Sequence, residues 1–422
     1  MSTEDLLAAM RAMGAAAVAT RQTLAQSPPD QRNKALRAAA TALRDRQSSI
    51  LVANKKDLDG ARARELSSAL LERLALDPAR VGAMADGLEE IARLPDPLHR
   101  VLAEWQRPNG LKIQRVSVPL GVVAIIYESR PNVTADAGAL CLKSGNPVIL
   151  RGGSESRESS AAIHAALLEG LRVAGLPAAA IQLVPTADRA AVGMLLADMT
   201  DYIDVLVPRG GRSLVERVQR EARVPVIGHL EGICHVYVHH AADLLMARSI
   251  LLNSKLRRTG VCGAAETLLL DAALPVSARR DLLVALLDAG CAVRGDDDCC
   301  ALDARVTRAT EVDWSTEYLD RIIAARTVGN IDSALEHIAR YGSAHTESIV
   351  TTDQTAAEHF LSRCDSAIVL HNASTQFADG GEFGMGAEIG ISTDRFHARG
   401  PVGVEQLTSY KYIVRGTGQI RP

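Results

Sequence analysis

The sequence has few aromatic residues, no closely spaced cysteine pair of the C-x-x-C kind and no long apolar run. Of its 422 residues 47% are hydrophobic but only 3% are aromatic, so alanine, valine, leucine and isoleucine must build most of the core. That composition is typical of helices packed on parallel sheets and predicts an α/β enzyme. The chain is too long for one ordinary core, so we expect two or three domains.

The other absences narrow the class of protein further. The seven cysteines lack disulfide-like spacing, so we expect reduced thiols, with the adjacent Cys299 and Cys300 in a loop. An acidic N-terminus without a leader pattern, and the lack of an apolar stretch of roughly 18 residues, predict a cytoplasmic protein that does not enter a membrane. A net charge of -3 gives no reason to expect nucleic acid as a partner.

Standard catalytic and nucleotide fingerprints are missing too. The sequence has no G-x-S-x-G elbow, no Walker A motif and no G-x-G-x-x-G after the first strand of its α/β rhythm. We also expect no metal site, although one short segment is rich in possible ligands, because neighbouring side chains of a strand face opposite ways. The residues of that segment are His229, Cys234, His235, His239 and His240.

The chain changes character along its length. Residues 1–100 have the spacing of amphipathic helices, and residues 111–118 alternate like an exposed strand or hairpin arm that could pair with another subunit. Short apolar runs separated by alanine-rich segments then predict two α/β lobes. The expected strands lie at 122–126, 148–150, 181–184, 205–207 and 224–227, then at 236–238, 267–270, 348–351 and 367–370.

Cys262 is the strongest candidate for a catalytic residue. Small residues flank it, and Lys255, Arg257 and Arg258 precede it. Positive charge favours a thiolate, and small neighbours let a carbonyl carbon reach the sulfur. The alternative is a buried structural cysteine, which is the commoner role of a lone cysteine.

Three other segments could bind ligands at the carboxyl ends of strands. Arg151-Gly152-Gly153-Ser154 and Gly210-Gly211 follow strands and lead into helices, where backbone N–H groups favour a phosphate, such as that of a dinucleotide with a 2'-phosphate. The alternative is a tight turn. Asn132 opens a helix after another strand, as an oxyanion donor or as a helix N-cap.

Together these motifs resemble the gamma-glutamyl phosphate reductase family of the aldehyde dehydrogenase superfamily. The matching segments occur in order along nearly the whole chain, at 118–123, 126–134, 141–146, 149–155, 207–211, 234–238, 260–262, 265–267, 379–384 and 397–401. The resemblance implies an aldehyde dehydrogenase-like α/β fold and NADPH-dependent reduction of L-glutamyl 5-phosphate to L-glutamate 5-semialdehyde and phosphate, through a thioester.

The resemblance also implies residue roles. Cys262 would be the nucleophile, and Asn132 with the Cys262 backbone N–H would hold the oxyanion. Glu317 would hold the nicotinamide ribose, with a surface charge as the alternative, and the two glycine turns would hold the rest of NADPH. From their nearness to Cys262 in the sequence, we expect Lys255 and Arg258 to hold the substrate phosphate. His229 stands where aldehyde-oxidising relatives place a glutamate base. The absence of that carboxylate would protect the thioester from hydrolysis, because no base would activate water there.

For the organisation of the chain, the resemblance implies three parts. Residues 1–104 and 119–230 would form the Rossmann-type NADPH-binding domain and residues 231–365 the α/β catalytic domain. Residues 105–118 and 366–422 would form the small β oligomerisation arm and the closing segments. A homo-oligomer is implied, and a complex with glutamate 5-kinase is plausible.

Departures from the family pattern leave rival functions open. Arg257 replaces a neutral amide, Gly263 stands where Asn is often found, and His239-His240 stand where an Asp is common. The rivals are a CoA-acylating or ordinary aldehyde dehydrogenase, and a catalytically silent dehydrogenase-like scaffold.

Overall fold

The computed structural model describes residues 3–421, so Met1, Ser2 and Pro422, which belong to the predicted terminal segments, lie outside the described residues. Among the described residues, no helix combines the length and apolar character needed to cross a membrane. The α-helices are α1 Thr3–Gln26, α2 Pro29–Asp45, α3 Gln47–Ala63, α4 Ser68–Leu74, α5 Pro78–Arg93, α6 Val133–Lys143, α7 Arg157–Ala174, α8 Ala190–Gly193, α9 Arg212–Glu221, α10 Leu244–Leu256, α11 Val276–Asp288, α12 Asp297–Leu302, α13 Ile331–Tyr341 and α14 Gln354–Arg363.

The strands agree with most of the apolar runs. They are β1 Val101–Gln106, β2 Lys112–Pro119, β3 Val123–Tyr127, β4 Val148–Arg151, β5 Ile181–Leu183, β6 Val205–Arg209, β7 Cys234–Val238, β8 Ala265–Asp271, β9 Ala292–Gly295, β10 Thr307–Arg308, β11 Ile322–Val328, β12 Thr346–Val350, β13 Ile368–His371, β14 Ile391–Ser392, β15 Gly400–Pro401 and β16 Thr408–Arg415.

Two sequence predictions of local structure are wrong. Residues 224–227 form only an isolated bridge from Val226 to Leu206, because Pro225 has no N–H to donate to a ladder. Cys299 and Cys300 lie on α12 rather than in a loop. That helix begins where the Asp296 carboxylate accepts a hydrogen bond from the Cys299 backbone N–H at 2.9 Å, an N-cap that an Asp-rich start favours.

The chain divides into two compact units. The first contains the residues up to Gly228, Gly384–Gly390 and the residues from Val402 onward. Its four-stranded sheet is parallel, in the order β5-β4-β3-β6. Alternate residues of β3 enter two different cores, since Val123 and Ile125 pack in one and Ala124 and Ile126 in the other. Both faces of this sheet are therefore covered by apolar side chains.

The first unit also carries a separate antiparallel sheet in the order β1-β2-β16. Its aromatic side chains are largely exposed, with Trp105 and Tyr412 in edge-to-face contact at 6.1 Å between ring centroids. These strands include the predicted oligomerisation arm, whose role stays a prediction.

The second unit contains His229–Phe383 and Ile391–Pro401. Its seven-stranded sheet is parallel, in the order β10-β9-β11-β8-β7-β12-β13. The central strands β7, β8 and β12 are buried along their whole length. Because parallel neighbours begin at the same edge, residues just before these three strands are brought together.

Candidate active site

Cys262 lies at the amino edge of the seven-stranded sheet, in the turn before β8. His229 lies in the segment that leads to β7, and His345 immediately precedes β12. One ring nitrogen from each histidine and the Cys262 Sγ all lie within 4.8 Å of one another. The two imidazole rings meet edge to face, with centroids 4.9 Å apart. Three adjacent parallel strands thus bring one thiol and two imidazoles to one place.

This arrangement changes the acidity of the thiol. Burial by itself raises the pKa of Cys262, but the charge of His345 and the nearby His229 outweigh burial, so the pKa lies well below its ordinary value. A thiolate is the form that attacks carbonyl carbon. The two imidazoles therefore favour the thiolate form of Cys262.

A backbone carbonyl orients the His229 imidazole, and two side chains orient that of His345. The His229 Nδ1 lies 2.6 Å from the Ile391 carbonyl oxygen, and since a carbonyl can only accept, Nδ1 carries the proton. The His345 Nδ1 lies 2.9 Å from the Thr346 Oγ1 and 3.6 Å from the Cys234 Sγ. These contacts leave the Nε2 atoms for the thiol.

The backbone around Cys262 is tightly packed. A Cβ added to Gly232 would lie 2.1 Å from the Cys262 carbonyl oxygen and 2.6 Å from its Cβ, so only glycine fits there. The Gly232 N–H donates to Glu317 Oε1 at 2.9 Å, which brings the predicted ribose ligand to the same loop. Burial raises the pKa of Glu317.

Lys255 lies in a different environment from the one expected for a phosphate ligand. Its side chain is fully buried, and its Nζ donates to Glu266 Oε2 at 2.5 Å. Burial raises the pKa of Glu266 to about 7, against the effect of Lys255. The other carboxylate oxygen, Oε1, accepts from the Leu319 N–H at 3.3 Å. Since its charge is already paired, Lys255 has no geometric support as a phosphate ligand or as the group that acidifies Cys262.

Arg258 is exposed just beyond the end of α10, so its guanidinium remains accessible to an anion. The structure thus links Cys262 to Glu317 through Gly232, which contacts both residues. Lys255 is paired with Glu266 instead. Sequence reasoning missed His345, and it considered His229 as a possible metal ligand and as the replacement of a base, but not as a partner of the thiol. A histidine that directly precedes a buried strand was the available signal, but its partner comes from a distant segment.

The remaining predicted residues lie in the first unit. Asn132 precedes α6 without a side-chain capping bond, so the N-cap alternative has no support. Its Nδ2 instead donates to Asp136 Oδ2 at 2.9 Å. Burial raises the pKa of Asp136 to about 6 although this hydrogen bond opposes the shift. The amide is held by a single carboxylate and keeps a donor for another acceptor.

The Arg151 turn fits a phosphate-bearing group. Arg151 is 7% exposed, donates to the Ala187 carbonyl oxygen at 3.3 Å, and has a buried Nε without a hydrogen-bond partner among the described residues. A Cβ at Gly152 would approach Tyr127 to 3.2 Å, and one at Gly153 would lie 2.1 Å from Glu155. Tyr127 and Glu155 thus lie close to the two glycines, and the turn has an unused cationic donor, while Ser154 begins the helical turn that follows.

The second glycine turn is already occupied in part. The Gly211 N–H, at the start of α9, donates to Glu128 Oε2 at 2.9 Å. A Cβ at Gly210 would lie 2.5 Å from the same oxygen. A phosphate would therefore have to displace this carboxylate, so the Gly210-Gly211 turn has weaker support than the Arg151 turn.

Comparisons with known proteins agree with the resemblance found in the sequence. The profile of the aldehyde dehydrogenase family matches residues 2–275. A gamma-glutamyl phosphate reductase from Parvibaculum lavamentivorans is 62% identical over 99% of this chain and 99% of its own length. The chain is a member of the gamma-glutamyl phosphate reductase family. A relative of the same name from Rhodospirillum rubrum is 61% identical over 100% of this chain and 99% of its own.

Solved structures agree with this family. The crystal structure of the gamma-glutamyl phosphate reductase from Thermotoga maritima matches with a TM-score of 0.95 at 41% identity, over 98% of this chain and 100% of that one. An acetylating aldehyde dehydrogenase from Geobacillus thermoglucosidasius, 17% identical with a TM-score of 0.71 over 100% and 99%, shows the shared fold alone. The predicted family and the aldehyde dehydrogenase-like α/β fold are confirmed, and the family implies a nicotinamide cofactor.

Proposed function

We propose that this chain reduces L-glutamyl 5-phosphate to L-glutamate 5-semialdehyde and phosphate, with NADPH as the reductant and Cys262 as the nucleophile. The observation that carries the proposal is the pairing of Cys262 with His229 and His345, which lowers the pKa of the thiol in a chain of this family. A silent scaffold would have no use for an acidified thiol.

The first step uses the thiolate. The Cys262 Sγ attacks the acyl carbon, the bond from that carbon to the phosphate oxygen breaks, and phosphate leaves with its electron pair, so that a thioester remains on Cys262. The exposed Arg258 is the better of the two predicted phosphate ligands, because its guanidinium is accessible whereas Lys255 is buried with Glu266.

The oxyanion of each tetrahedral intermediate needs hydrogen-bond donors. We assign these to the Cys262 backbone N–H and the Asn132 amide. The Asn132 assignment rests on the family resemblance together with the spare amide donor described above.

The cofactor supplies a hydride to the thioester carbon when it is bound. Arg151, Gly152, Gly153 and Ser154 would hold its phosphates, with Gly210 and Gly211 as weaker candidates, and Glu317 would hold the nicotinamide ribose. The unused Arg151 Nε supports a 2'-phosphate and therefore NADPH. Collapse of the second tetrahedral intermediate releases the aldehyde and restores the Cys262 thiolate.

The proposal is tested by running the reaction backward. Glutamate semialdehyde and NADP are supplied with and without inorganic phosphate, and NADPH absorbance is followed in the parent and in Cys262→Ala. The expected result is phosphate-dependent NADPH formation that is lost in Cys262→Ala. Phosphate-independent formation would indicate an ordinary aldehyde dehydrogenase, and formation that requires CoA would indicate an acylating one. Replacing NADP by NAD tests the cofactor preference.

Association and location complete the proposal. We propose a cytoplasmic homo-oligomer formed through the sheet β1-β2-β16, whose exposed aromatic side chains support a subunit contact. A complex with glutamate 5-kinase is part of the same proposal, because the acyl phosphate is labile. Sedimentation of the parent and of Tyr412→Glu tests the first contact, and co-sedimentation with the kinase tests the second.

A further inference from the structure

A second cluster of possible ligands lies at the carboxyl edge of the seven-stranded sheet, opposite the edge that carries Cys262. His239 and His240 directly follow β7, and Asp271 is the last residue of the neighbouring β8. One ligand atom from each of the three residues lies within 4.8 Å of the others. The two imidazole rings stand with their centroids 4.0 Å apart.

Asp271 is held as a carboxylate. Its Oδ2 accepts from the Tyr237 hydroxyl at 2.6 Å, and its Oδ1 accepts from the Ala273 N–H at 2.9 Å. Burial raises the pKa of Asp271, but these hydrogen bonds and that of His240 outweigh burial and leave it below its ordinary value. The carboxylate is therefore charged at neutral pH and fixed in direction.

His239 is oriented toward this carboxylate. It is buried, its Nδ1 lies 2.9 Å from the Thr351 Oγ1, and its Nε2 lies 4.0 Å from Asp271 Oδ2. A neutral imidazole held through its other nitrogen is the usual form of a metal-ligating histidine.

His240 gives the cluster access to solvent. Its side chain is 51% exposed, and its Nδ1 lies 3.4 Å from Asp271 Oδ2. In a tetrahedral zinc site with bonds of 2.0–2.1 Å, neighbouring ligand atoms lie about 3.3 Å apart. The His240 distance is close to that value, and the His239 distance requires a closing movement of about 0.7 Å.

We propose that His239, His240 and Asp271 bind a divalent transition-metal ion of the zinc class, with water as a further ligand. Two imidazoles and one carboxylate suit Zn²⁺, and the contacts of Tyr237 and Thr351 supply the outer support that such ligands need. This site is separate from the reaction at Cys262, and its existence does not depend on the proposed function.

The site is tested in a Cys262→Ala background, because His229, Cys262 and His345 could also take the ion. Chelator-treated protein is titrated with Zn²⁺ by calorimetry. We expect one ion per chain and a weakening of at least about tenfold in His240→Ala. The matched control is His359→Ala, since His359 also pairs with an aspartate, Asp332, at 2.8 Å on the surface of the same unit.

Titration with Co²⁺ provides a second measurement. A bound ion should give visible absorption without a thiolate charge-transfer band, and the absorption should be lost in His240→Ala but kept in His359→Ala. No stoichiometric Zn²⁺ uptake, or equal affinity in the parent and His240→Ala, would overturn the proposal. Equal melting temperatures of the metal-free variants show that any loss of binding does not come from unfolding.

Discussion

Two thiols at the amino edge of one sheet have pKa values that are shifted in opposite directions. Cys262 lies in the turn before β8 and Cys234 is the first residue of β7, and the Cys234 Sγ donates to the Cys262 carbonyl oxygen at 3.1 Å. Both lie near His345. Yet the pKa of Cys262 is well below its ordinary value, whereas burial and then the charge of Glu347 put that of Cys234 well above it.

The difference teaches that burial does not decide the role of a cysteine. Burial raises the pKa of both thiols, and the shift reverses only where two imidazoles face the sulfur. Cys234 instead has the Glu347 carboxylate near it, which pairs with His235 at 2.8 Å. Two thiolates side by side would also repel each other, so this edge of the sheet can hold only one.

The largest expected effect is that of removing the acidic thiol. Cys262→Ala should lower kcat by at least about 10³-fold, because no other group can form the thioester. The measurement is phosphate-dependent NADPH formation from glutamate semialdehyde. Cys300→Ala is the matched control, since Cys300 is similarly half-buried but has a raised pKa. If Cys262→Ala kept more than a tenth of the parent's activity, the acidic thiol would not be the nucleophile.

A smaller effect is expected when one imidazole is removed. His345→Gln should raise the pKa of Cys262, because the charge of His345 is the largest contribution that lowers it. The pH midpoint of alkylation by iodoacetamide should rise by at least about one unit, with activity at neutral pH about 10- to 100-fold lower. The variant should melt as a folded protein. An unchanged midpoint would show that His229 alone acidifies the thiol.

Displacing the thiol without changing its partners should lower activity less than removing one imidazole. Gly232→Ala adds a Cβ that collides with the Cys262 backbone, so we expect a loss of about 1–3 kcal/mol in stability and activity about tenfold lower. Gly87→Ala is the control, because a Cβ on this residue of α5 meets no atom within 4 Å. The control should gain about 0.5–1 kcal/mol of unfolding free energy by chemical denaturation. Equal stability of the two variants would contradict the packing argument.

The smallest effect is expected at the inert thiol. Cys234→Ala removes a buried sulfur and should cost about 1 kcal/mol of stability while leaving the alkylation rate of Cys262 within about threefold. Mass spectrometry of the alkylated protein at neutral pH measures that rate and shows which cysteine reacts first. A large fall in the rate would mean that the two thiols act as a pair.

The family, the fold and the candidate catalytic residue Cys262 could be predicted from the sequence, because each prediction depends on residues that are contiguous in the chain. Motifs around Cys262 and the apolar runs of the central strands need no knowledge of distant contacts. The neighbouring strands β9, β10 and β11 were missed. β9 and β10 are too brief to show a period, and the alanines in the middle of β11 favour strands only weakly. Pro225 ended one expected strand by removing a backbone donor.

The environment of the site was less accessible to sequence reasoning. The residues that precede Cys262 suggested Lys255 as its acidifying group, but the fold buries Lys255 against Glu266 and brings His345 from another segment. Likewise, three of the five metal-ligand candidates between residues 229 and 240 fall into two clusters at opposite edges of the sheet, His229 in one and His239 with His240 in the other. Each cluster includes a residue from another strand or the turn before it, His345 or Asp271, which the parallel strand order brings near.

The buried pair of Lys255 and Glu266 has a mechanical consequence. Leu319, whose N–H is bound by Glu266, has a φ of 53°, a left-handed conformation that costs a leucine about 1–2 kcal/mol. Through this hydrogen bond the ion pair helps to hold Leu319 in its unfavourable backbone conformation, two residues from Glu317. Weakening the Lys255–Glu266 pair would reach Glu317, the proposed ribose ligand, through the backbone, without any change in the Glu317 side chain.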